Sequence, residues 1–131
     1  MSSNPKHIGP GYWANWHTNS LHTNTREKKA ELARNIVTSV DNFPCRDPCR
    51  KDAVAYIKKN PLLEAVNNRD EMSLFKWVVD FHNHVNTKIG KRVLTYEEAQ
   101  KIWTGDEGIC FGNCGVSEDE IKSENIIVRN Y

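Results

Sequence analysis

Between Asp70 and Gly90 the apolar residues Leu74, Trp77, Val78, Phe81, Val85 and Ile89 return every three or four positions. That spacing lines one face of an α-helix, whereas a half-buried strand would alternate every second residue. A long apolar stripe must be covered by another element, so the segment commits the chain to helix packing. Asp70 is placed to open this helix, and Gly90 to end it in a left-handed cap.

The same period recurs elsewhere and strand signals are weak. After the turn-prone Gly9-Pro10-Gly11, the residues Trp13, Trp16, His17 and Leu21 predict a first helix. Thr25 can cap a second, with Ala30, Ala33, Ile36, Val37 and Val40 as its stripe, ended by Phe43-Pro44. A third is expected from Asp47-Pro48 to Lys59, with Asp47 as N-cap and Pro48 at the first helical position. Asn60-Pro61 stops it, and 61–69 reads as a connector to the Asp70 helix. Thr95-Tyr96-Glu97-Glu98 is a capping box for a short fifth helix ending near Trp103. The sequence thus predicts an all-α fold, a four-helix bundle with a short fifth helix, over residues 1–104. Residues 105–131 read as a tail rather than a second domain, with Ile126-Ile127-Val128 as a short extended segment.

The 131 residues fit one domain of ordinary size. Eighteen basic residues against seventeen acidic ones create no single-sign field, so nucleic acid and anionic lipid are poor partners. No apolar run approaches the roughly 18 residues needed to span a bilayer, and Met1–Pro10 lacks the apolar core of a signal peptide. The expected location is cytoplasmic, where disulfides are rare and are usually catalytic or redox-sensing.

The four cysteines stand in two close pairs, Cys45/Cys49 and Cys110/Cys114. Such pairs carry redox or metal chemistry more readily than a structural framework. With Pro48 opening the third helix, Cys49 would lie in its first turn, where unpaired N–H groups and the positive end of the helix dipole favour a thiolate. Arg46 and Arg50 add positive charge. Two alternatives stay open on the spacing alone: a plain structural disulfide, or a zinc-stabilised interaction module using all four cysteines.

A second constellation spans two helices. Trp13 and His17 stand one turn apart on the first, and His82 and Asn86 one turn apart on the fourth, followed by Lys88 and Lys91. Taken singly, each is more often a core residue or a satisfied polar contact. Together, His and Asn beside Trp and Phe suit a flat aromatic ligand, with the lysines meeting phosphates.

At this point the chain resembles the Erv/ALR family of FAD-linked sulfhydryl oxidases, in particular the short single-domain forms of large cytoplasmic DNA viruses. The matching blocks are Gly-Pro-Gly-Tyr-Trp-Ala-Asn-Trp-His at 9–17, Phe-Pro-Cys at 43–45, Cys49 through Asn60-Pro61-Leu62, and Phe81 through Lys91. The resemblance implies a bundle that holds FAD and usually dimerises. It implies a cofactor site of Gly9, Pro10, Trp13, His17, His82, Asn83, Val85, Asn86, Lys88 and Lys91, with Trp103 as a lid. Trp13 and His17 would meet the flavin, and residues 82–91 the adenosine and phosphates. Cys45 and Cys49 become the catalytic disulfide: a protein dithiol attacks Cys45, and Cys49 passes electrons to the flavin, from which oxygen leaves as hydrogen peroxide. Cys110/Cys114 becomes a shuttle pair, or a disulfide pinning the tail. No metal is implied.

The chain departs from the family pattern twice within the matched region. Three residues, not two, separate Cys45 from Cys49, and Val79 stands where many cellular members have a structural cysteine.

Overall fold

The computed structural model describes residues 5–105; the Cys110/Cys114 pair and the 126–128 segment lie outside the described residues. Among the described residues the chain is all-helical, with six α-helices: α1 (Pro5–Ser20), α2 (Arg26–Asp41), α3 (Lys51–Lys59), α4 (Leu62–Asn67), α5 (Ser73–Lys88) and α6 (Tyr96–Thr104). None is long and apolar enough to cross a membrane.

Local chemistry sets several of the ends. Thr25 caps α2, its hydroxyl accepting from the Lys28 N–H at 3.2 Å. Thr95 and Glu98 form the reciprocal capping box of α6. Gly90 and Gly105 follow their helices at φ +75°, the left-handed conformation that costs a residue without Cβ nothing.

Four boundaries differ from the sequence reading. Helix α1 begins at Pro5 and runs through Gly9-Pro10-Gly11, with Pro10 inside it. The buried Trp16, His17 and Ser20 anchor its lower half, so the missing N–H of Pro10 near the other end is tolerated. Helix α5 starts at Ser73, because the Asp70 carboxylate accepts from the Met72 N–H at 2.9 Å and forms a turn ahead of the helix instead of a cap. The expected connector holds α4, with Pro61 as its N-cap, so one proline both stops α3 and starts the next helix. Helix α3 starts at Lys51 rather than at Pro48.

The main core gathers Trp16 from α1; Leu32, Ala33, Ile36 and Val40 from α2; Ala53 from α3; Leu62 and Val66 from α4; and Leu74, Trp77, Val78 and Phe81 from α5. Two residues of the expected stripes face solvent instead, Val37 at 40% and Ile89 at 59% exposure. On α2 the buried row is completed by Leu32 and by Lys29, whose ammonium donates to the carbonyls of Asn68 and Asp70 at 2.8 and 2.7 Å. These bonds meet the requirement that a buried charge be solvated by the protein. A smaller cluster of Phe75, Val79 and Ala99 seats α6 on α5, with Trp103 packed at its edge.

Candidate active site

Helices α1, α5 and α6 bring four rings together. Trp13 lies parallel to His82, with centroids 4.2 Å apart and planes at 9°. His17 stacks on Trp103 at 4.6 Å and 17°. The two histidines meet edge to face at 5.0 Å. Behind them, Phe81 approaches Trp13 edge-on at 5.2 Å, and Trp16 approaches it at 5.4 Å. The i, i+4 spacing of Trp13 and His17 places both on the α5-facing side of α1.

The histidines form a directed chain. His17 Nδ1 lies 2.7 Å from the Trp13 carbonyl, which can only accept, so this nitrogen carries the proton. In the neutral ring Nε2 is then an acceptor, and His82 Nδ1 donates to it at 3.4 Å. The same logic leaves His82 Nε2 as an acceptor. Burial pushes the His17 imidazole down to about 4, outweighing the opposing effect of the Trp13 carbonyl. His82 is likewise pushed down to about 4, by burial first and then by the positive charges of His17 and Lys91. Both rings are therefore neutral near pH 7.

The expected adenosine and phosphate residues continue along α5. Asn86 is buried, and its amide donates to the Arg92 carbonyl at 3.3 Å. The Asn83 amide donates to the Leu94 carbonyl at 2.8 Å and accepts from the Leu94 N–H at 2.9 Å, so it pins the segment after Gly90. Val85 packs against the main core. Lys88 pairs with Asp52 of α3 at 3.1 Å, and Lys91 is exposed. Gly9 is half-buried on α1 and Pro10 is exposed. The set fits a flat, polyanionic cofactor: rings for stacking, neutral imidazoles for hydrogen-bonding edges, and two lysines at one helix end for phosphates.

Cys45 and Cys49 are joined in a disulfide, with Cα atoms 5.3 Å apart. Both are half-buried. Their segment corrects the expected helix start. Asp47 is extended, at φ −137° and ψ 122°, as the residue before a proline is pushed to be, and Asp47-Pro48 is cis. The chain from Arg46 to Arg50 makes one wide turn, closed by the Arg50 N–H donating to the Cys45 carbonyl at 2.9 Å. The Lys51 N–H turns back to the Arg46 and Pro48 carbonyls. Cys49 therefore precedes α3, and these neighbouring N–H groups are occupied by carbonyls. The positive charge around the pair comes from the side chains of Arg46, Arg50 and Lys51, not from open helix-end donors. A closed disulfide also offers no thiolates at 45 and 49 for the four-cysteine zinc module.

Arg50 has a role the sequence reading missed. Its guanidinium donates through Nε, at 3.0 Å, and through Nη2 to the Phe43 carbonyl, tying the turn to the end of α2. The Phe43 ring packs on Tyr12 at 4.9 Å and Trp16 at 6.2 Å. A continuous aromatic layer thus runs from the disulfide turn to Trp13. An arginine seven residues after Phe43 carries no local signal for such a contact. Tyr56 and His84 also went unread: they pair at 4.7 Å, and Tyr56, stacked on Phe81, is pushed up to about 12 by burial and then by Asp80 and Tyr96.

The profile of the Erv1/Alr family matches residues 10–104. Over 100 residues the chain is 30% identical to an FAD-linked sulfhydryl oxidase of African swine fever virus (Warthog/Namibia isolate), covering 74% of this chain and 80% of that protein. The same extent and identity hold for the FAD-linked sulfhydryl oxidase of a Tick/Malawi isolate. A candidate FAD-linked sulfhydryl oxidase of Invertebrate iridescent virus 6 is 32% identical over 112 residues, 79% of this chain and 98% of its own length.

Proposed function

Because the chain belongs to the Erv1/Alr family, we propose that it is an FAD-dependent thiol oxidase that converts dithiols of protein substrates into disulfides. The observation that carries this reading is a closed Cys45–Cys49 disulfide whose turn is joined, through Phe43, to the ring layer around Trp13 and His17. On this reading α1, α2, α3 and α5 are the four-helix bundle that holds FAD, with α6 as the short fifth helix, and residues 1–104 are the oxidase domain. The working unit is a homodimer in the cytoplasm of an infected host, in a viral factory or in a virion, in keeping with the viral relatives.

A substrate thiolate attacks Cys45 Sγ, forming a mixed disulfide and releasing Cys49 as a thiolate. The second substrate thiol loses its proton and attacks the substrate sulfur of that bond. The substrate leaves as a disulfide, and two electrons remain on the Cys45/Cys49 pair. Arg46 and Lys51 stabilise the thiolate formed in between. Bound FAD supplies the two-electron acceptor that restores the disulfide, with oxygen as the final oxidant and hydrogen peroxide as product.

Trp13 and His17 would hold the flavin ring. His82, Val85, Asn86, Lys88 and Lys91 would hold the adenosine and phosphates, beside the backbone of Gly9 and Pro10. Asn83 would act through the Leu94 segment that it pins, and Trp103 would cover the site. Cys110/Cys114 would shuttle electrons to the inner pair. Full-length protein should be purified yellow, with flavin absorption in the visible, and should consume oxygen when given dithiothreitol. A correctly folded sample that is colourless and takes up no added FAD would overturn the proposal.

A further inference from the structure

The cationic side of the disulfide turn forms an open groove of about 500 Å³, lined by Arg46, Arg50, Lys51 and Lys58 around Val54 and Ala55. Among the described residues no acidic side chain lines it. Arg50 is committed to the Phe43 carbonyl, and Asp52, the nearest acid of α3, faces Lys88. Arg46, Lys51 and Lys58 are exposed and take part in none of the ion pairs among the described residues. Asp47, in the same turn, is an exposed charge of opposite sign. Three outward cations beside an oxidising disulfide form a receptor for an acidic, thiol-bearing segment.

The chain itself contains such a segment. Residues 106–131 hold six acidic and two basic residues, whereas residues 1–105 hold eleven acidic and sixteen basic. The near-neutral total therefore conceals two parts of opposite charge. Asp106 and Glu107 precede Cys110, and Glu118-Asp119-Glu120 follow Cys114. The tail is long on the scale of the domain. Eight residues lie between Gly105 and Cys114, and their nine steps, at most about 3.5 Å each in an extended chain, give about 30 Å, the width of a small domain. The described chain ends beside Trp103, stacked on His17, which shares α1 with the Tyr12 that meets Phe43.

We propose that the groove docks the acidic segment 106–131 of the same chain, so that charge attraction delivers Cys110/Cys114 to the Cys45–Cys49 disulfide. This deepens the thiol-oxidase reading and rests on it. The transfer balances without another reagent. The Cys110 thiolate attacks Cys45 and releases the Cys49 thiolate; Cys114, deprotonated, then attacks Cys110. The products are a Cys110–Cys114 disulfide and a Cys45/Cys49 dithiol, with two electrons moved inward. Run in this direction, the exchange arms the outer pair to oxidise substrates.

The test uses full-length protein with Cys49→Ser and Cys114→Ser, which leaves one thiol on each side. In a glutathione redox buffer, the fraction closing a Cys45–Cys110 disulfide reads their effective concentration. Lys51→Glu with Lys58→Glu should lower that equilibrium about fivefold at low salt, and adding Glu118→Lys with Glu120→Lys should restore it. Lys28→Glu, at the opposite end of α2 from Phe43, should leave it unchanged. A fraction insensitive to groove charge, a loss that the swapped charges do not rescue, or a bond that forms only between two chains would overturn the docking. Dithiothreitol turnover of the unaltered protein reads the oxidase assignment separately: turnover without a charge effect rejects the docking alone, and absence of turnover rejects the assignment beneath it.

Discussion

The ring cluster around His17 and the turn around Cys45–Cys49 are parts of one candidate site, yet they are held in opposite ways. His17 is 1% exposed, clamped between rings from three helices, and its hydrogen-bond chain ends on a helix carbonyl. The turn contributes no buried residue and is tied by one arginine, one wide-turn bond and the Phe43 ring. Packing rigidifies the first, as interiors packed to crystal density must be rigid. Few bonds hold the second, which suits a pair of sulfurs that must open, meet a partner and close. On the proposed reading the difference separates two jobs: the part that would hold a cofactor is built into the core, and the part that would exchange covalent bonds is mounted at its edge.

Substitutions in the two parts should therefore fail differently. The largest effect is expected from Cys49→Ser. Turnover with dithiothreitol should fall at least about a thousandfold, since no disulfide can close, while visible flavin absorption remains. Retained turnover would show that electrons leave through another sulfur. His17→Ala should do the reverse. It opens a cavity among rings and should lower stability by about 3 kcal/mol with loss of flavin, read as a lower thermal midpoint and a colourless product. A stable, yellow His17→Ala protein would deny that the core is what prepares the cofactor site.

The neutral histidines give the rigid part its own signature. Burial depresses both imidazoles from about 6.5 to about 4, so the unfolded chain binds protons at a pH where the folded chain does not. Their stabilising contribution is complete above about pH 6.5 and is lost as pH falls from there toward 4. For His17 alone the loss at pH 5 is about 2 kcal/mol. Thermal midpoints measured from pH 7.5 to 5 should fall, and should fall less in a His17→Phe variant. Equal slopes would remove the histidine pair from the account.

Much of the rigid part was legible in the sequence, because its signals are local. Trp13 and His17 share a face by spacing alone, as do His82 and Asn86, and the Thr95 capping box ends up where it was expected. Trp103, which the resemblance placed at the same site, stacks on His17. The disulfide turn was legible as a pair of sulfurs but not as a shape. Asp-Pro favours a helix start, yet the residue before proline is also driven extended, and here the second preference prevailed. Lys29 and Arg50 were not legible at all. Each is satisfied by carbonyls of a segment that only the tertiary fold brings near: Asn68 and Asp70 for Lys29, Phe43 for Arg50.

Arg50→Gln sharpens the comparison at the disulfide turn. It removes charge-assisted bonds to one carbonyl and should cost about 1 kcal/mol of stability. Turnover should suffer more than the thermal midpoint does, and flavin retention should not change. A colourless Arg50→Gln protein would mean that the turn also shapes the cofactor site.

The smallest effect is expected where the two parts touch. Lys88 of α5 and Asp52 of α3 pair at 3.1 Å with both side chains nearly half exposed, so water screens the attraction. Such a pair contributes little, and Lys88→Gln or Asp52→Asn should move stability by less than about 0.5 kcal/mol. The two changes should nevertheless part in cofactor affinity. If Lys88 serves the phosphates, Lys88→Gln weakens FAD binding about threefold, whereas Asp52→Asn releases the ammonium and leaves binding equal or tighter. Titrating apoprotein with FAD reads this directly. Should both variants weaken binding alike, the ion pair acts as a brace between α3 and α5, and the division between a rigid cofactor part and a lightly tied disulfide part would be less sharp than the packing implies.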